Sequence, residues 1–391
     1  MRGATRRALE NLVQMCIEED AKLLIVAGDL YDGGWRDYGT GLFFASQMGR
    51  LREAGTRVVI LRGNHDAASQ ITKSLRLPEN VRELGVKRPE TIAMDDLGVA
   101  LHGQGFATRA VTDDLAAHYP EPIAGLFNIG VLHTSLDGRE GHENYAPTSV
   151  ATLQAKGYDY WALGHVHKRE VLGQNPWIVF PGNLQGRHAK ETGPKGATVI
   201  TLESGRIASV EARALDVVRW ALVLVDAAQC ADVGDVVDAT RAALARAAED
   251  AHGRALAARV VIEGESPAHA ALQENPDGLV AEIRLAAGDV AVEAWVEKVV
   301  LSTRAAIDFA GLRQRQDAIG DLVRAIDAAR ADDDALSSLA AELLELKKKL
   351  PPELRDGDDA LRLDDPNYVR ALLNDVEQMI VPRLLRREGS P

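Results

Sequence analysis

The chain has 391 residues, which is enough for two or more domains of ordinary size. Because 46% of its residues are hydrophobic it can bury a full core, which excludes global disorder, and its two cysteines exclude a disulfide scaffold or a structural zinc cluster. The net charge is −13, although residues 1–215 carry 24 basic and 25 acidic side chains. The acidity therefore belongs to the second half, and any contact with nucleic acid must use a local basic patch or a bound metal.

The sequence shows no targeting or membrane-spanning segment. No apolar run approaches the roughly 18–20 residues that a bilayer-spanning helix needs. The first residues are basic but lack the continuous apolar core and the cleavage site of a signal peptide. We therefore expect a soluble, cytoplasmic protein that makes no contact with a membrane.

The first half of the chain alternates between helical and strand patterns. Residues 5–20 and 41–54 each place apolar side chains on one helical face. Leu23–Ala27 and Arg57–Leu61 are short apolar runs that predict buried strands, and this alternation predicts an α/β layered domain. Further strands are predicted at Val99–His102, Phe127–His133, Tyr160–Leu163, Trp177–Phe180 and Ala197–Leu202. The later strands have little helix between them, so the predicted sheet is mixed.

The polar motifs stop at a boundary near residues 214–219. The predicted elements beyond it are strands at Trp220–Val225, Arg259–Glu263 and Val290–Leu301, and helices at about 233–251, 305–349 and 367–385. We therefore predict an α/β domain at 1–215, an α+β domain at 216–304 and a helical region at 305–391.

Four short motifs lie at the C-terminal ends of predicted strands. They are GDLYD at Gly28–Asp32, GNHD at Gly63–Asp66, LHTS at Leu132–Ser135 and GHVHK at Gly164–Lys168. Strand ends of an open α/β sheet are where sites assemble. Together the motifs offer carboxylate, amide oxygen and imidazole, which suit Mn²⁺ or Fe²⁺ better than Mg²⁺.

Each motif offers a particular kind of ligand. The Asp29 carboxylate has two oxygens and could bridge two metals, and Asn64 supplies a neutral oxygen. His133, His165 and His167 supply nitrogens, and in an extended segment the last two would point the same way. Two metals about 3.5–4 Å apart would activate water and clamp a phosphate through an in-line displacement.

Taken singly, each motif has a purely structural explanation. Gly-Asp after a strand is often a turn, GNHD could be a capped loop, His133 could be a satisfied core histidine, and His-x-His could be a polar edge strand. The joint occurrence of the motifs, in order and each after a strand, favours a site. The other histidines lack this context and are assigned to surface or packing roles, with His102 and His188 the nearest to exceptions. Cys16 lies on an apolar helix face and is assigned to the core.

The ordered motifs resemble those of the calcineurin-like metallophosphoesterases. Their context, which includes RGNHDAAS, LHTSLDG, YDYWALGHVHKRE and FPGNLQGRH, is similar to the SbcD-type branch of DNA repair exonucleases. The resemblance covers residues 5–215 and is mainly architectural beyond them. It implies an α/β layered metallophosphoesterase sandwich of mixed sheets flanked by helices, with a smaller α+β cap domain and C-terminal helices.

The resemblance also implies roles for individual residues. The implied metal ligands are Asp29 as the bridge, Asn64, His133 and His165 at one site, and His167 at the other. His65 would be the general acid or would stabilise the transition state, and Asp32 would be its orienting carboxylate. Phe180–Asn183 matches the turn that closes the family's site. Arg187 and Lys190, with Lys195, form a candidate phosphate-contacting cluster, although a solvated charged loop explains them equally well.

The activity implied by the resemblance is a phosphodiesterase acting on DNA, specifically a 3′–5′ exonuclease that uses two Mn²⁺ ions. The second domain would cap the site, and the C-terminal helices would dock an SbcC-type coiled-coil ATPase. The family's dimers suggest a homodimer. The alternatives are a metallophosphoesterase acting on nucleotides or phosphoproteins, and a truncated, inactive scaffold subunit.

The start of the chain departs from the family pattern. The family begins with a strand ending in D-x-H, which supplies two ligands, whereas this chain has no Asp before Asp20 and no His before His65. Either the start codon is placed too late or the protein is truncated. We favour the first explanation, because the loss of a central buried strand would leave unpaired backbone groups on both of its neighbours.

Overall fold

The chain folds into two compact units, which comprise residues 1–221 with 251–257, and residues 222–250 with 258–391. The computed structural model describes residues 3–31, 38–68, 75–136, 145–290, 293–351, 354–355 and 360–388. The domain borders expected at 215 and 304 stay predictions.

Helices and strands alternate at the start of the first unit, and strands predominate after residue 68. Its helices are α1 (Ala4–Glu18), α2 (Tyr38–Glu53), α3 (Asn64–Ala68) and α4 (Val150–Ala155). Its strands are β1 (Leu23–Val26), β2 (Arg57–Ile60), β3 (Val81–Glu83), β4 (Glu90–Met94), β5 (Val99–Gly103), β6 (Phe127–His133), β7 (Tyr160–Gly164), β8 (Glu170–Gln174), β9 (Trp177–Phe180), β10 (Gly196–Glu203) and β11 (Arg206–Ala214). The elements predicted for this half are confirmed, whereas the helices α3 and α4 and the strands β3, β4, β8 and β11 were not predicted.

Two sheets form the centre of this unit. Strands β1, β2 and β3 make a parallel sheet in that order. The second sheet has the order β4-β5-β6-β7-β9-β8, in which β5, β6, β7 and β9 are parallel and the two edge strands are antiparallel. The prediction of a mixed sheet is therefore confirmed. Strands β10 and β11 pair separately as an antiparallel hairpin.

Apolar clusters stack the sheets and helices into layers. One cluster, which includes Cys16 and Phe44, joins α1 and α2 to the first sheet, so Cys16 is a core residue as predicted. A second, which includes Leu61 and Val131, fills the space between the two sheets. A third packs Trp161 and other residues of the second sheet against α4. This arrangement confirms the α/β layered sandwich, and each fully buried large side chain contributes roughly 1.5–3 kcal/mol.

The order of the strands brings several loops to one edge of the sandwich. Because β1 and β2 are parallel, with Val26 opposite Ile60, the segments after both strands leave on the same side. The same holds for β6 and β7, whose last residues His133 and Gly164 are partners. These four strand ends carry the four sequence motifs.

The elements from β12 onward lie wholly or partly in the second unit. They are β12 (Val218–Asp226), α5 (Val233–Asp250), β13 (Ala255–Ser266), α6 (His269–Glu274), α7 (Pro276–Ala287), β14 (Ala294–Ala305), α8 (Phe309–Gln314), α9 (Ala318–Ala331), α10 (Asp333–Lys347) and α11 (Pro366–Glu388). The sheet order is β12-β13-β14. Strand β14 begins and ends four residues later than predicted. One reason is that Thr303, although polar, is buried in the strand, where its hydroxyl lies 2.9 Å from Nδ1 of His269.

None of the helices within the described ranges combines the length and the apolar composition needed to cross a bilayer.

Candidate metal centre

The segments after β1 and β7 leave their strands through strained backbone. Asp29 has φ 54° and His165 has φ 97°, both in the left-handed region that residues with a Cβ rarely adopt. Such strain persists where surrounding structure enforces it, and it clusters at functional sites. The two residues lie just beyond the ends of parallel strands, and in this backbone conformation their side chains lie close to each other and to His133.

Three glycines let the loops approach one another closely. A Cβ on Gly63 would lie 2.3 Å from Oδ1 of Asp29, and one on Gly164 would lie 1.8 Å from the main-chain oxygen of Ala27. A Cβ on Gly28 would lie 2.4 Å from Nδ1 of His133. Any side chain at these positions would push the loops apart, which explains the Gly in three of the four motifs.

The loops bring together a compact set of potential ligands. One ligand atom each from Asp29, His133 and His165 lies within 4.8 Å of the other two. Asn64 joins this group, because its Oδ1 lies 2.9 Å from Nε2 of His133. His133 is fully buried and Asn64 nearly so. The four residues come from four different strand ends, as the sequence predicted, and their role as ligands stays a prediction.

Aromatic rings form one wall of this group. The ring of Phe106 meets the ring of His133 edge to face, with centroids 5.5 Å apart. The ring of Tyr145 meets that of His165 in the same way at 5.4 Å. Both aromatic side chains are buried, so they limit the positions that the two imidazoles can take.

The hydrogen bonding of His133 indicates that the group fits a cation. Nδ1 of His133 lies 3.0 Å from the main-chain oxygen of Ala27, which can only accept, so Nδ1 carries the proton. Nε2 is then unprotonated in the neutral ring, yet it faces Oδ1 of Asn64 at 2.9 Å and Oδ2 of Asp29 at 3.3 Å. A neutral ring places acceptor against acceptor here. A divalent cation with mixed nitrogen and oxygen ligands matches this donor set.

The carboxyl group of Asp29 is held in its ionised form. Burial raises its pKa, but the contact with the imidazole of His133 and the hydrogen bond from the main-chain N–H of His65 lower it by more, so the net shift is downward. The N–H of His65 donates to Oδ1 of Asp29 at 3.0 Å. Asp29 therefore presents a negative charge at the centre of the group.

Asp66 fixes the loop after β1 against the loop after β2. Its carboxylate accepts the main-chain N–H groups of Leu30 at 3.2 Å, Tyr31 at 3.0 Å and Gly63 at 3.1 Å. Burial raises its pKa despite these hydrogen bonds. The sequence reasoning assigned Asp66 no role, although it is the last residue of GNHD. It holds the loops that carry Asp29 and Asn64.

His65 and Asp32 were expected to act on the substrate. His65 is the second residue of α3, its side chain is half-buried, and its main chain contacts Asp29. Asp32 lies outside the described residues. Both roles stay predictions.

His167 does not lie in an extended segment with His165, so the expectation that the two side chains share one strand face is wrong, whereas the role of His167 as a metal ligand stays a prediction. Strand β7 ends at Gly164, and the φ of 97° at His165 turns the chain. Two histidines separated by one residue in a strand would share a face, whereas these two have different surroundings. Nδ1 of His167 lies 2.7 Å from Oε1 of Glu191, and His167 is outside the group formed by Asp29, His133 and His165.

Glu191 is a buried carboxylate that the sequence reasoning missed. Burial raises its pKa, but the hydrogen bonds from His167 and from the main-chain N–H of Arg187 outweigh it, and the pKa falls to about 2. Its position, one residue after the cluster Arg187–Lys190, was the available signal. The carboxylate offsets part of the positive charge there.

The three candidate phosphate-contacting residues differ in exposure. Arg187 and Lys190 are exposed, and a guanidinium nitrogen of Arg187 lies 3.8 Å from Oε1 of Glu191. Lys195 is buried, with Nζ 3.5 Å from the main-chain oxygen of His167, and burial lowers its pKa. Lys195 therefore braces the turn after β7. A role in contacting phosphate stays a prediction for Arg187 and Lys190.

His102 and His188 were the nearest to exceptions among the other histidines. His102 is fully buried in the sheet, hydrogen-bonded to Thr91 and Asn128, and stacked on Tyr158. It is a packing residue. His188 is exposed, with Nε2 3.5 Å from Oε1 of Glu191.

Comparisons with known proteins identify the family of the chain. The profile of the calcineurin-like phosphoesterase family matches residues 3–169, and that of the middle domain of the metallophosphoesterase YhaO matches residues 220–304. The chain is 32% identical over 286 residues to the uncharacterized metallophosphoesterase YhaO of Bacillus subtilis, covering 72% of this chain and 69% of that protein. It is 29% identical over 203 residues to the DNA double-strand break repair protein Mre11 of Methanopyrus kandleri, covering 46% of this chain and 43% of that protein. The chain therefore belongs to the calcineurin-like metallophosphoesterases.

Proposed function

We propose that this metallophosphoesterase is a DNA phosphodiesterase, specifically a Mn²⁺-dependent 3′–5′ exonuclease of DNA repair. The observation that carries the hydrolytic part is the meeting of Asp29, Asn64, His133 and His165 at four strand ends. The DNA part is supported by the similarity to Mre11, whose name refers to the repair of double-strand breaks.

In this proposal Asp29, Asn64, His133 and His165 hold one divalent ion, and Asp29 and His167 contribute to a second. When bound, such ions lower the pKa of water and neutralise charge on a phosphoryl group. The two imidazoles beside Asp29 favour Mn²⁺ over Mg²⁺, since Mg²⁺ prefers ligand sets made of oxygen alone. Fixed loops around Asp29 keep these ligands in place before any ion arrives.

His65 supplies a proton in the proposed reaction. Its main-chain N–H is bonded to Asp29, which places the residue beside the ligand group. We propose that its imidazolium donates to the leaving oxygen of the DNA strand, with Asp32 orienting the ring. Arg187 and Lys190, both exposed, are the proposed contacts to the DNA backbone.

The second unit has the proposed role of binding a partner. The segment from β12 to β14 would cap the site, and helices α8 to α11 would dock a coiled-coil ATPase of the SbcC type. Exposed apolar side chains on α10 and α11, among them Leu346 and Met379, support a docking role. The homodimer and the cytoplasmic location are further parts of the proposal.

The test is digestion of double-stranded DNA labelled at its 3′ or its 5′ end by the full-length protein expressed from its gene. We expect the 3′ label to be released as mononucleotide with Mn²⁺ and not with Mg²⁺ alone. Equal rates in Mg²⁺ would show that the ligand assignment is wrong. Hydrolysis of nucleotides or phosphoproteins with intact DNA would overturn the choice of substrate, and no hydrolysis of any of these would favour the scaffold alternative.

A further inference from the structure

The ring of His167 is attached to a carboxylate 24 residues further along the chain. Nδ1 of His167 lies 2.7 Å from Oε1 of Glu191, a distance typical of a charge-assisted hydrogen bond. A carboxylate at this distance accepts, so Nδ1 of the ring is the protonated nitrogen. In the neutral ring Nε2 then keeps its lone pair. The His167 side chain is 39% exposed whereas that of Glu191 is 5% exposed, so the carboxylate is the buried member of the pair.

The Glu191 carboxylate is held by its own loop, independently of His167. Its Oε2 accepts the main-chain N–H of Arg187 at 2.8 Å. The main-chain N–H of Glu191 donates to the oxygen of His188 at 2.9 Å, which closes a turn. These hydrogen bonds orient the Glu191 carboxylate without the help of the His167 imidazole.

The main chain of His167 is fixed as well. Its oxygen accepts the N–H of Asn183 at 3.0 Å, and a Cβ on Gly182 would lie 3.0 Å from the same oxygen. The turn Phe180–Asn183 thus packs directly against the segment that carries His167. With both main chains fixed, the hydrogen bond to Glu191 restricts the one part that could still rotate, which is the imidazole.

Nitrogen atoms of two other side chains approach the same carboxylate oxygen from greater distances. Nε2 of His188 lies 3.5 Å from Oε1 of Glu191, and a guanidinium nitrogen of Arg187 lies 3.8 Å from it. Both side chains are exposed. The bond to His167 is the shortest of the three, so His167 is the main partner of this oxygen.

We propose that Glu191 is a positioning residue for His167, which binds the Nδ1 proton so that Nε2 is presented as a ligand to a divalent cation. Carboxylates commonly orient metal-binding histidines in this way, and their loss typically costs 10–100-fold in metal affinity. The role of Nε2 rests on the proposed function, because it requires His167 to bind a metal. The tautomer of His167 does not depend on that function and can be measured separately.

The experiment uses the full chain labelled with ¹⁵N-histidine, at a pH where imidazole is neutral and without metal. Comparison with His167→Asn identifies the His167 signals among the ten histidines. In the unsubstituted chain we expect a protonated Nδ1 and an unprotonated Nε2. Glu191→Ala should shift the ring towards the Nε2-protonated form that free imidazole side chains prefer, whereas Glu191→Gln, which keeps an oxygen acceptor, should retain the Nδ1 proton. Glu211→Gln removes an exposed carboxylate paired with Arg213 and should change nothing.

Equilibrium dialysis of the same proteins against MnCl₂ gives the second measurement. At the second position, to which His167 contributes, Glu191→Ala should bind Mn²⁺ about 10–100-fold more weakly than the unsubstituted chain, and Glu191→Gln should lie between them. Binding at the position of Asp29, Asn64, His133 and His165 should stay unchanged. An unchanged tautomer in Glu191→Ala would overturn the positioning role. An altered tautomer with unchanged Mn²⁺ affinity would overturn the link to metal binding. Failure of the unsubstituted chain to bind Mn²⁺ would count against the proposed function, while the tautomer measurement would still decide the role of Glu191.

Discussion

Nδ1 of His133 lies 3.0 Å from the main-chain oxygen of Ala27, and this hydrogen bond joins the end of β6 to the end of β1. It therefore connects the two sheets of the sandwich at the edge where the motifs meet. A main-chain oxygen cannot donate, so the bond fixes the tautomer of His133 as well as its orientation. Nε2 is left facing the oxygens of Asn64 and Asp29.

The first prediction is that His133→Ala disrupts the proposed metal position formed by Asp29, Asn64, His133 and His165. The substitution deletes one ligand and leaves Asn64 and Asp29 without the group that faces them. We expect Mn²⁺ affinity at this position to fall by more than about 100-fold, since even the loss of a residue that only orients a ligand costs 10–100-fold. Equilibrium dialysis with elemental analysis measures it.

The control for this substitution is His118→Ala, which removes an exposed histidine in the same unit. It should leave the amount and affinity of bound Mn²⁺ unchanged. If His133→Ala bound Mn²⁺ as well as the control did, the ligand set at the four strand ends would be wrong.

The second prediction compares two glycine substitutions of opposite effect. Gly164→Ala places a Cβ 1.8 Å from the oxygen of Ala27 and 2.9 Å from Nδ1 of His133, so it should force β1 and β7 apart. We expect a loss of about 1–3 kcal/mol or more in the free energy of unfolding, with weaker Mn²⁺ binding. Gly49→Ala, inside α2, meets nothing within 4 Å and should instead stabilise by about 0.5–1 kcal/mol.

Urea unfolding of both variants measures whether the free energy of unfolding falls for Gly164→Ala and rises for Gly49→Ala. A Gly164→Ala protein as stable as the unsubstituted chain would show that the loops can separate without cost. The Gly49→Ala variant is the control, because it shows whether any replacement of glycine in this unit lowers the free energy of unfolding.

The strands that carry the motifs could be predicted because each is a short run of buried apolar residues. Strand β6, for example, is buried along its whole length and was predicted with the correct ends. The strands that escaped prediction have mixed patterns: β8 and β11 alternate between partly buried and exposed residues without a continuous apolar run. Burial of one face by the layer beneath, which the local sequence does not record, makes these segments strands.

The candidate site was predictable to the extent that its ligands follow strand ends. The turn at His165 was not predictable, because its φ of 97° is imposed by the packing of loops around Gly164 and Ala27. The pairing of Glu191 with His167 was not predictable either, because the two residues are 24 positions apart in the sequence. Its significance depends on the turn after β9, which brings the two segments together.

The third prediction is that His65→Ala separates catalysis from metal binding. The hydrogen bond that joins this residue to Asp29 uses the main-chain N–H, which alanine retains. In the full-length protein expressed from its gene, with any codons upstream of Met1, we expect nearly normal Mn²⁺ content and a fall of about 10²–10⁴-fold in kcat for DNA hydrolysis, as for the loss of a general acid. Single-turnover digestion and elemental analysis of the same sample measure both. A loss of Mn²⁺ together with activity would show that His65 is a ligand, and the proposed role would fail.

The last prediction concerns the pH dependence of stability and the buried His102. Its Nδ1 lies 2.9 Å from the hydroxyl of Thr91 and its Nε2 lies 3.0 Å from Oδ1 of Asn128. The Asn128 oxygen also accepts the main-chain N–H of Ile123, so the neutral ring donates through Nε2 and accepts through Nδ1. Burial lowers the pKa of His102 and outweighs the hydrogen bond to Asn128, which raises it.

Because the folded pKa is depressed, the unfolded chain binds the proton more readily than the folded one. The free energy of unfolding therefore rises with pH below the unfolded pKa of about 6.5 and is lost progressively as the pH falls. His102→Gln removes this titration. The variant should be less stable at neutral pH, because it loses the stacking on Tyr158, but its stability should fall less than that of the unsubstituted chain between about pH 7.5 and 5.5. Urea unfolding across this range, with His118→Gln as the exposed control, measures the difference. Parallel curves for all three proteins would show that His102 does not contribute to the acid sensitivity of the fold.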